Sequence, residues 1–267
     1  MRLIATDLDG TLLRRDETIS ARTGAVLKRI TEEGGHIALV TGRPLRWLAG
    51  VYAQLPVAIP AVCANGAVVY DPDSDTAVHT APLLPRTLAE VCRRLRAEVP
   101  DVAFAVEVED GRSMRHEHAY PLRWDNADPA VRALATTDEL FARPAVKLLA
   151  RAGDRDPDAF AEVVSGCIAG LAEATHSSYS GLVEISAVGV TKAAGLAWLC
   201  ERIGVDRAEV LAFGDMPNDL PMLAWAGRSV AVANAHATVL AVADDLAPSN
   251  DEDGVAAYLE LLLDQGP

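Results

Sequence analysis

The stretch that most restricts what this chain can become is Ile4-Ala5-Thr6-Asp7-Leu8-Asp9-Gly10-Thr11-Leu12-Leu13. An apolar run stops at two carboxylates one residue apart, and a glycine follows. Side chains alternate along a strand, so Asp7 and Asp9 share a face and can both be presented at a strand's C-terminal edge. Gly10 lets the backbone turn away there. That edge is where open α/β sheets bind their ligands. Carboxylates this close repel each other, and a bound cation or a retained proton relieves the repulsion. The pair therefore asks for a metal, whereas a plain solvated turn would not need apolar residues on both sides of it.

Other segments end in the same way. After a helix capped by Ser20, with Val26, Leu27 and Ile30 on one face and Gly34-Gly35 at its end, His36-Ile37-Ala38-Leu39-Val40 reads as a buried parallel strand. It closes on Thr41-Gly42-Arg43, and Pro44 suits the first position of a helix carrying Leu45, Leu48, Ala49 and Tyr52. Ala61-Val62-Cys63-Ala64 runs into Asn65-Gly66-Ala67, and the segments at Val68 and Ala77 flank a turn as in a hairpin. Val210-Leu211-Ala212-Phe213 opens onto Gly214-Asp215-Met216-Pro217-Asn218-Asp219. Lys192 falls in the first turn of a helix that starts after Gly189. The macrodipole disfavours a cation there, unless an anion binds where lysine and free N–H groups converge.

Between Leu83 and Ala187 the texture changes. A helix with Leu88, Val91, Cys92 and Leu95 on one face leads to strands at 102–109 and 112–116 around the Asp110-Gly111 turn. A short helix near Val131, a strand at 146–149, a helix over 157–171 and strands at 174–179 and 182–187 follow. This reads as a second, α+β domain. His116 and His118 around Glu117 could form a metal site, though exposed strand positions explain them better, and His36, His79, His176 and His236 stand alone.

Composition narrows the partners. With 267 residues and 50% hydrophobic content the chain can bury one large core or two ordinary ones. A formal net charge of -14 argues against nucleic-acid backbones and anionic lipid. An anionic substrate would need local help from a metal, a lysine or helix N-termini. Cys63, Cys92, Cys167 and Cys200 lack zinc or disulfide spacing. With no leader pattern and no apolar run of membrane length, a soluble cytoplasmic protein is expected.

In order along the chain, Asp7-Leu8-Asp9-Gly10-Thr11-Leu12, Thr41, Gly189-Val190-Thr191-Lys192 and Gly214-Asp215-Met216-Pro217-Asn218-Asp219 resemble the four motifs of the haloacid dehalogenase-like hydrolases. Thr41-Gly42-Arg43, Asn65-Gly66-Ala67 and the ending from Val230 through Val255 resemble the Cof-type subgroup, with its large inserted cap. The resemblance implies an α/β fold, with a Rossmann-like parallel-sheet core at 1–82 and 188–267 and an α+β cap at 83–187. It implies a Mg²⁺-dependent phosphatase of small phosphate monoesters such as sugar phosphates or pyridoxal phosphate, acting alone or as a weak homo-oligomer. Asp7 would be the nucleophile and Asp9 the acid/base, with Mg²⁺ held by Asp7, the Asp9 carbonyl and Asp215. Leu8, Gly10, Thr41, Gly42, Arg43, Asn65, Lys192 and Asn218 would surround the phosphate, and Asp219 would support them. Asn65 is equally a turn residue; Thr41 taken alone is equally a helix cap, but beside the other motifs phosphate contact is favoured. Arg115, His116, Glu117 and His118 are the densest polar cluster in the cap and its specificity candidates. A phosphomutase of the same fold and a non-catalytic phospho-acceptor module are the alternatives; the second lacks room for so large an insertion between its Thr and Lys.

Overall fold

The structure, a computed structural model, describes residues 1–122, 128–153, 155–176 and 181–264. Its elements begin with β1 (Leu3–Thr6), α1 (Ala21–Glu32), β2 (His36–Val40), α2 (Ala49–Tyr52), β3 (Ala61–Cys63), β4 (Val68–Asp71) and β5 (Thr76–Thr80). Next come α3 (Pro85–Glu98), β6 (Ala103–Val108), β7 (Ser113–His116), β8 (Val131–Ala133), β9 (Lys147–Arg151), α4 (Pro157–Ile168), β10 (Ala172–Thr175) and β11 (Leu182–Ala187). The remaining elements are α5 (Lys192–Ile203), β12 (Val210–Gly214), α6 (Leu220–Trp225), β13 (Arg228–Val232), α7 (Ala237–Leu240), β14 (Asp245–Ala247) and α8 (Gly254–Asp264). No helix among the described residues is long and apolar enough to cross a membrane.

The chain divides into two compact units, one of Met1–Arg43, Trp47–Val78 and the residues from Thr191 onward, the other of Pro44–Arg46 and His79–Val190. The first is built on an eight-stranded sheet in the order β14-β13-β12-β1-β2-β3-β4-β5. From β14 to β3 neighbouring strands pair parallel, and β4 runs antiparallel to β3. Their apolar runs fit burial on both faces: β1 and β12 are buried along their whole length. Strand β1 lies between β2 and β12, the point at which the strand order reverses and where sheets of this kind hold their ligands. Thr6 pairs in register with both Leu39 and Phe213, so the residues after β1, β2 and β12 emerge at one level. Helix α1 starts as its sequence demands, with the Ser20 hydroxyl accepting the Thr23 N–H at 3.0 Å and Val26, Leu27 and Ile30 buried.

The second unit carries a six-stranded sheet, β10-β11-β9-β6-β7-β8. One face buries Phe104, Val106, Leu148, Ala150, Val183 and Ile185 against α3 and α4, whose inward side chains include Leu88, Val91, Leu95, Phe160 and Val164. Each such valine, leucine, isoleucine or phenylalanine side chain, fully buried, contributes about 1.5–3 kcal/mol. Ala103, Ala105, Met114 and Leu149 form a smaller apolar cluster with Tyr120. Glu107 and Lys147, in the same β6 and β9, are buried in ion pairs with Arg46 and Glu184.

Three local expectations are corrected. The helix expected near Val131 is the strand β8, whose residues pair parallel with Met114, Arg115 and His116, so its conformation comes from the edge of β7 rather than from its own pattern. The helix expected after Pro44 is split into a 3₁₀ turn over Leu45–Trp47 and a single α-turn, α2; Gly50 and the β-branched Val51 are poor helix formers. The strand expected over 174–179 begins at Ala172, and its residues 177–179 lie outside the described residues.

Candidate active site

At the C-terminal end of β1 the Asp7 N–H donates to the Phe213 carbonyl at 3.0 Å, extending the pairing with β12 by one step. The chain then turns: Leu12 N–H reaches the Asp7 carbonyl at 3.3 Å and Leu13 N–H the Leu8 carbonyl at 2.8 Å. The Leu8 side chain is fully buried in the core, so a ligand could meet only its main chain. Gly10 has φ +79°, and a Cβ on it would stand 2.3 Å from Asp215 Oδ2. Only glycine lets the turn lie this close to the acid of the next strand. Thr11 Oγ1 donates to Asp215 Oδ1 at 3.0 Å and joins the two strand ends.

Lys192 is the first residue of α5, whose N-cap Thr191 accepts the Ala194 N–H. Its Nζ lies 2.5 Å from Asp7 Oδ1 and 2.6 Å from Asp219 Oδ1, and all three side chains are buried. Burial works against the lysine's charge, but Asp219 and Asp7 more than offset it, and its pKa rises above the ordinary value. The close fit of the β3 loop sets this height: a Cβ on Gly66 would fall 2.0 Å from the Thr191 carbonyl oxygen. Asp219 Oδ2 accepts the N–H groups of Asp215 at 3.1 Å and Met216 at 3.0 Å, so it anchors the loop after β12.

These acids are crowded. Burial, with the charges of Asp219 and Asp215 and against that of Lys192, raises Asp7 well above the carboxylate range. Asp215 is pushed up to about 7, first by burial and then by Asp219, with Lys192 and the Thr11 hydroxyl opposing. Asp7, Asp215 and Asp219 each offer an oxygen within 4.8 Å of the others, the only such group of three or more metal-binding side chains among the described residues. An all-carboxylate donor set of this kind suits a hard cation such as Mg²⁺. The bonds of Asp219 to Lys192 and to two N–H groups occupy both its oxygens, while Asp7 and Asp215 engage only Oδ1. Asp7 and Asp215 are therefore the better ligands.

Around them, the Thr41 hydroxyl accepts the Arg43 N–H at 3.0 Å, which leaves its own proton to donate to an anion. The Thr41 carbonyl accepts the Asn65 N–H at 3.1 Å, and the Arg43 carbonyl the Ala64 N–H at 3.0 Å, so the loops after β2 and β3, with Gly42 between Thr41 and Arg43, are stitched together. Arg43 grips Asp9 with two bonds, Nε to Oδ2 at 2.8 Å and Nη2 to Oδ1 at 2.5 Å. Asn65, in a left-handed conformation, accepts from Asn218 Nδ2 at 3.1 Å. The Asn218 Oδ1 is buried without a partner, an acceptor that a bound donor would satisfy. The first unit thus gathers Asp7, Asp9, Thr41, Arg43, Asn65, Lys192, Asp215, Asn218 and Asp219. The sequence offered no sign of the Arg43–Asp9 and Asn65–Asn218 pairs, whose members come from different strand ends.

The remaining candidates belong to the second unit. Arg115 donates to the carbonyls of Met114 at 2.9 Å and Ala130 at 3.3 Å. His116 is buried with Nδ1 2.9 Å from the Glu117 carbonyl, and the Glu117 carboxylate binds Arg96 and the Phe104 N–H. His118 is exposed.

A family model described as haloacid dehalogenase-like hydrolase matches residues 4–259. A 5-amino-6-(5-phospho-D-ribitylamino)uracil phosphatase of Bacillus subtilis is 31% identical over 97% of this chain and 96% of its own. A pyridoxal phosphate phosphatase of Escherichia coli is 28% identical over 97% of each chain. Among solved structures, SMU.1108c from Streptococcus mutans shares the fold with a TM-score of 0.85, at 23% identity and 99% coverage of both chains.

Proposed function

The chain belongs to the haloacid dehalogenase-like hydrolases, and from that premise we propose that it is a Mg²⁺-dependent phosphatase of small phosphate monoesters that works through an aspartyl phosphate. The observation that carries the reading is the buried Asp7 carboxylate at the end of β1, tied to Lys192 at 2.5 Å and set beside the carboxylates of Asp215 and Asp219. Asp7 attacks phosphorus as the bond to the leaving oxygen breaks, which splits one hard displacement into two easier ones. Asp9 gives its proton to that oxygen, then takes one from the water that attacks phosphorus and frees Asp7 and inorganic phosphate. The Thr41 hydroxyl and Lys192 bind phosphoryl oxygens, and Asp219 keeps Lys192 aimed at them. Bound between Asp7, the Asp9 carbonyl and Asp215, Mg²⁺ would offset negative charge on the transferring group.

The relatives named above act on a phosphorylated ribitylamino compound and on pyridoxal phosphate, which supports small, polar monoesters of that size, sugar phosphates included, as substrates. We assign the choice among them to the cap at 83–187, with Arg115, His116, Glu117 and His118 as its candidates. Activity on a generic phosphate ester should need Mg²⁺ and vanish in Asp7→Asn with the fold retained, since an amide cannot form the intermediate. Turnover in excess EDTA, or appreciable turnover by Asp7→Asn, would refute the reading.

A further inference from the structure

The mechanism leaves unused two asparagines near the C-terminal end of the sequence, Asn234 and Asn250, and both reach back to the turn that follows Asp9. Asn234 Nδ2 donates to the Gly10 carbonyl at 2.8 Å, and its Oδ1 accepts the Asn250 N–H at 2.9 Å. Asn250 Nδ2 donates to the Leu13 carbonyl at 2.8 Å. The same short segment holds the next residues: Asp253 takes Arg14 in a two-bond grip at 2.9 and 2.7 Å, and Asp251 accepts the Arg15 N–H at 2.9 Å. Ser249 and Glu252 close that segment into a reciprocal cap, so it is a firm base for these bonds.

Resting on the phosphatase reading, we infer that Asn234 and Asn250 are positioning residues for the acid/base: they brace the turn Gly10–Leu13 at both ends and thereby fix where Asp9 is presented. Asp9 needs such a brace. Its carboxylate is half-exposed and gripped only from one side, by Arg43, while its backbone runs straight into Gly10, the residue with the widest conformational freedom in the turn. The orientation of the Gly10–Thr11 peptide, set by Asn234, decides how the chain leaves Asp9. Position 234 must donate with one arm and accept with the other, which a carboxamide does and a carboxylate cannot. Asn234→Asp keeps the shape, loses the donor and sets an anionic oxygen against the Gly10 carbonyl. Asn250→Asp does the same to Leu13.

The test compares both variants with Asp9→Ala and the parent, in Mg²⁺, on an alkyl phosphate, whose leaving oxygen needs a proton, and on p-nitrophenyl phosphate, whose does not. Thermal melts and hydrogen exchange of the peptide covering residues 8–15 complete it. Asn234 is exposed, so Asn234→Asp should fold and melt close to the parent. Expected is a roughly 10- to 100-fold loss of kcat on the alkyl ester with KM little changed, as for a misplaced catalytic group, a several-fold smaller loss on the nitrophenyl ester, and faster exchange confined to 8–15. If Asp9→Ala discriminates between the esters but the asparagine variants lose both equally, or lose nothing, the inference falls and the phosphatase reading stands. If Asp9→Ala itself does not discriminate, the acid/base reading falls and takes this inference with it.

Discussion

Asp7 and Asp9 stand two residues apart in opposite settings. Asp7 is buried against the Lys192 ammonium, while the Asp9 side chain is 53% exposed and held by Arg43. Environments that separate two carboxylates in this way suit them to separate roles: a nucleophile kept from water and an acid/base within reach of it. Loss of Asp9 should therefore slow the reaction most where the leaving oxygen needs protonation. Asp9→Ala is expected to lose roughly 100-fold or more on an alkyl phosphate and clearly less on p-nitrophenyl phosphate, compared by kcat/KM; equal losses would contradict the assignment. Lys192 was legible in the sequence because a lysine in a helix's first turn defies the macrodipole and so calls for an anion. The contacts of Arg43 with Asp9 and of Asn65 with Asn218 were not legible, because the partners lie 34 and 153 positions apart and no local pattern links them.

At the scale of elements, the site depends on three strand ends at one level and one helix start pressed against them. The strands were readable because a parallel strand buried on both faces is a plain apolar run that stops where its chemistry begins. Strand β8 was not, since three residues carry no period of their own and take their form from β7. The helix start meets the strand ends at Gly66, φ +103°, against the Thr191 carbonyl. Gly66→Ala must either distort that loop or push back the first turn of α5, which carries Lys192. It is expected to destabilise by about 1–3 kcal/mol and, in the fraction that stays folded, to lower kcat. A variant with parental melting and parental kcat would show that the contact does not set the position of Lys192.

Across the whole molecule, a chain of formal charge -14 concentrates buried carboxylates at one sheet edge. In the metal-free protein Asp215 is raised from the ordinary 3.8 to about 7. The folded state thus binds the extra proton between those values, and through this group stability falls as pH rises from about 4 to about 7. A cation must displace that proton below about pH 7 and need not above it. The rise in Tm on adding Mg²⁺ should therefore be larger near pH 8 than near pH 5.5, and a rise independent of pH would contradict the ligand set. The order of motifs in the first unit was legible along the chain because each sits at a strand or helix end. The partners of Glu117 within the second unit, Arg96 and the Phe104 N–H, were not, because they depend on which strands and helices become neighbours. The claim on which the rest depends is the covalent intermediate. Borohydride reduction during turnover, followed by peptide mass analysis, tests it most directly: an aspartyl phosphate is reduced to homoserine, expected at position 7 only when both substrate and Mg²⁺ are present. Turnover with position 7 left as aspartate, or reduction at another carboxylate, would contradict the account.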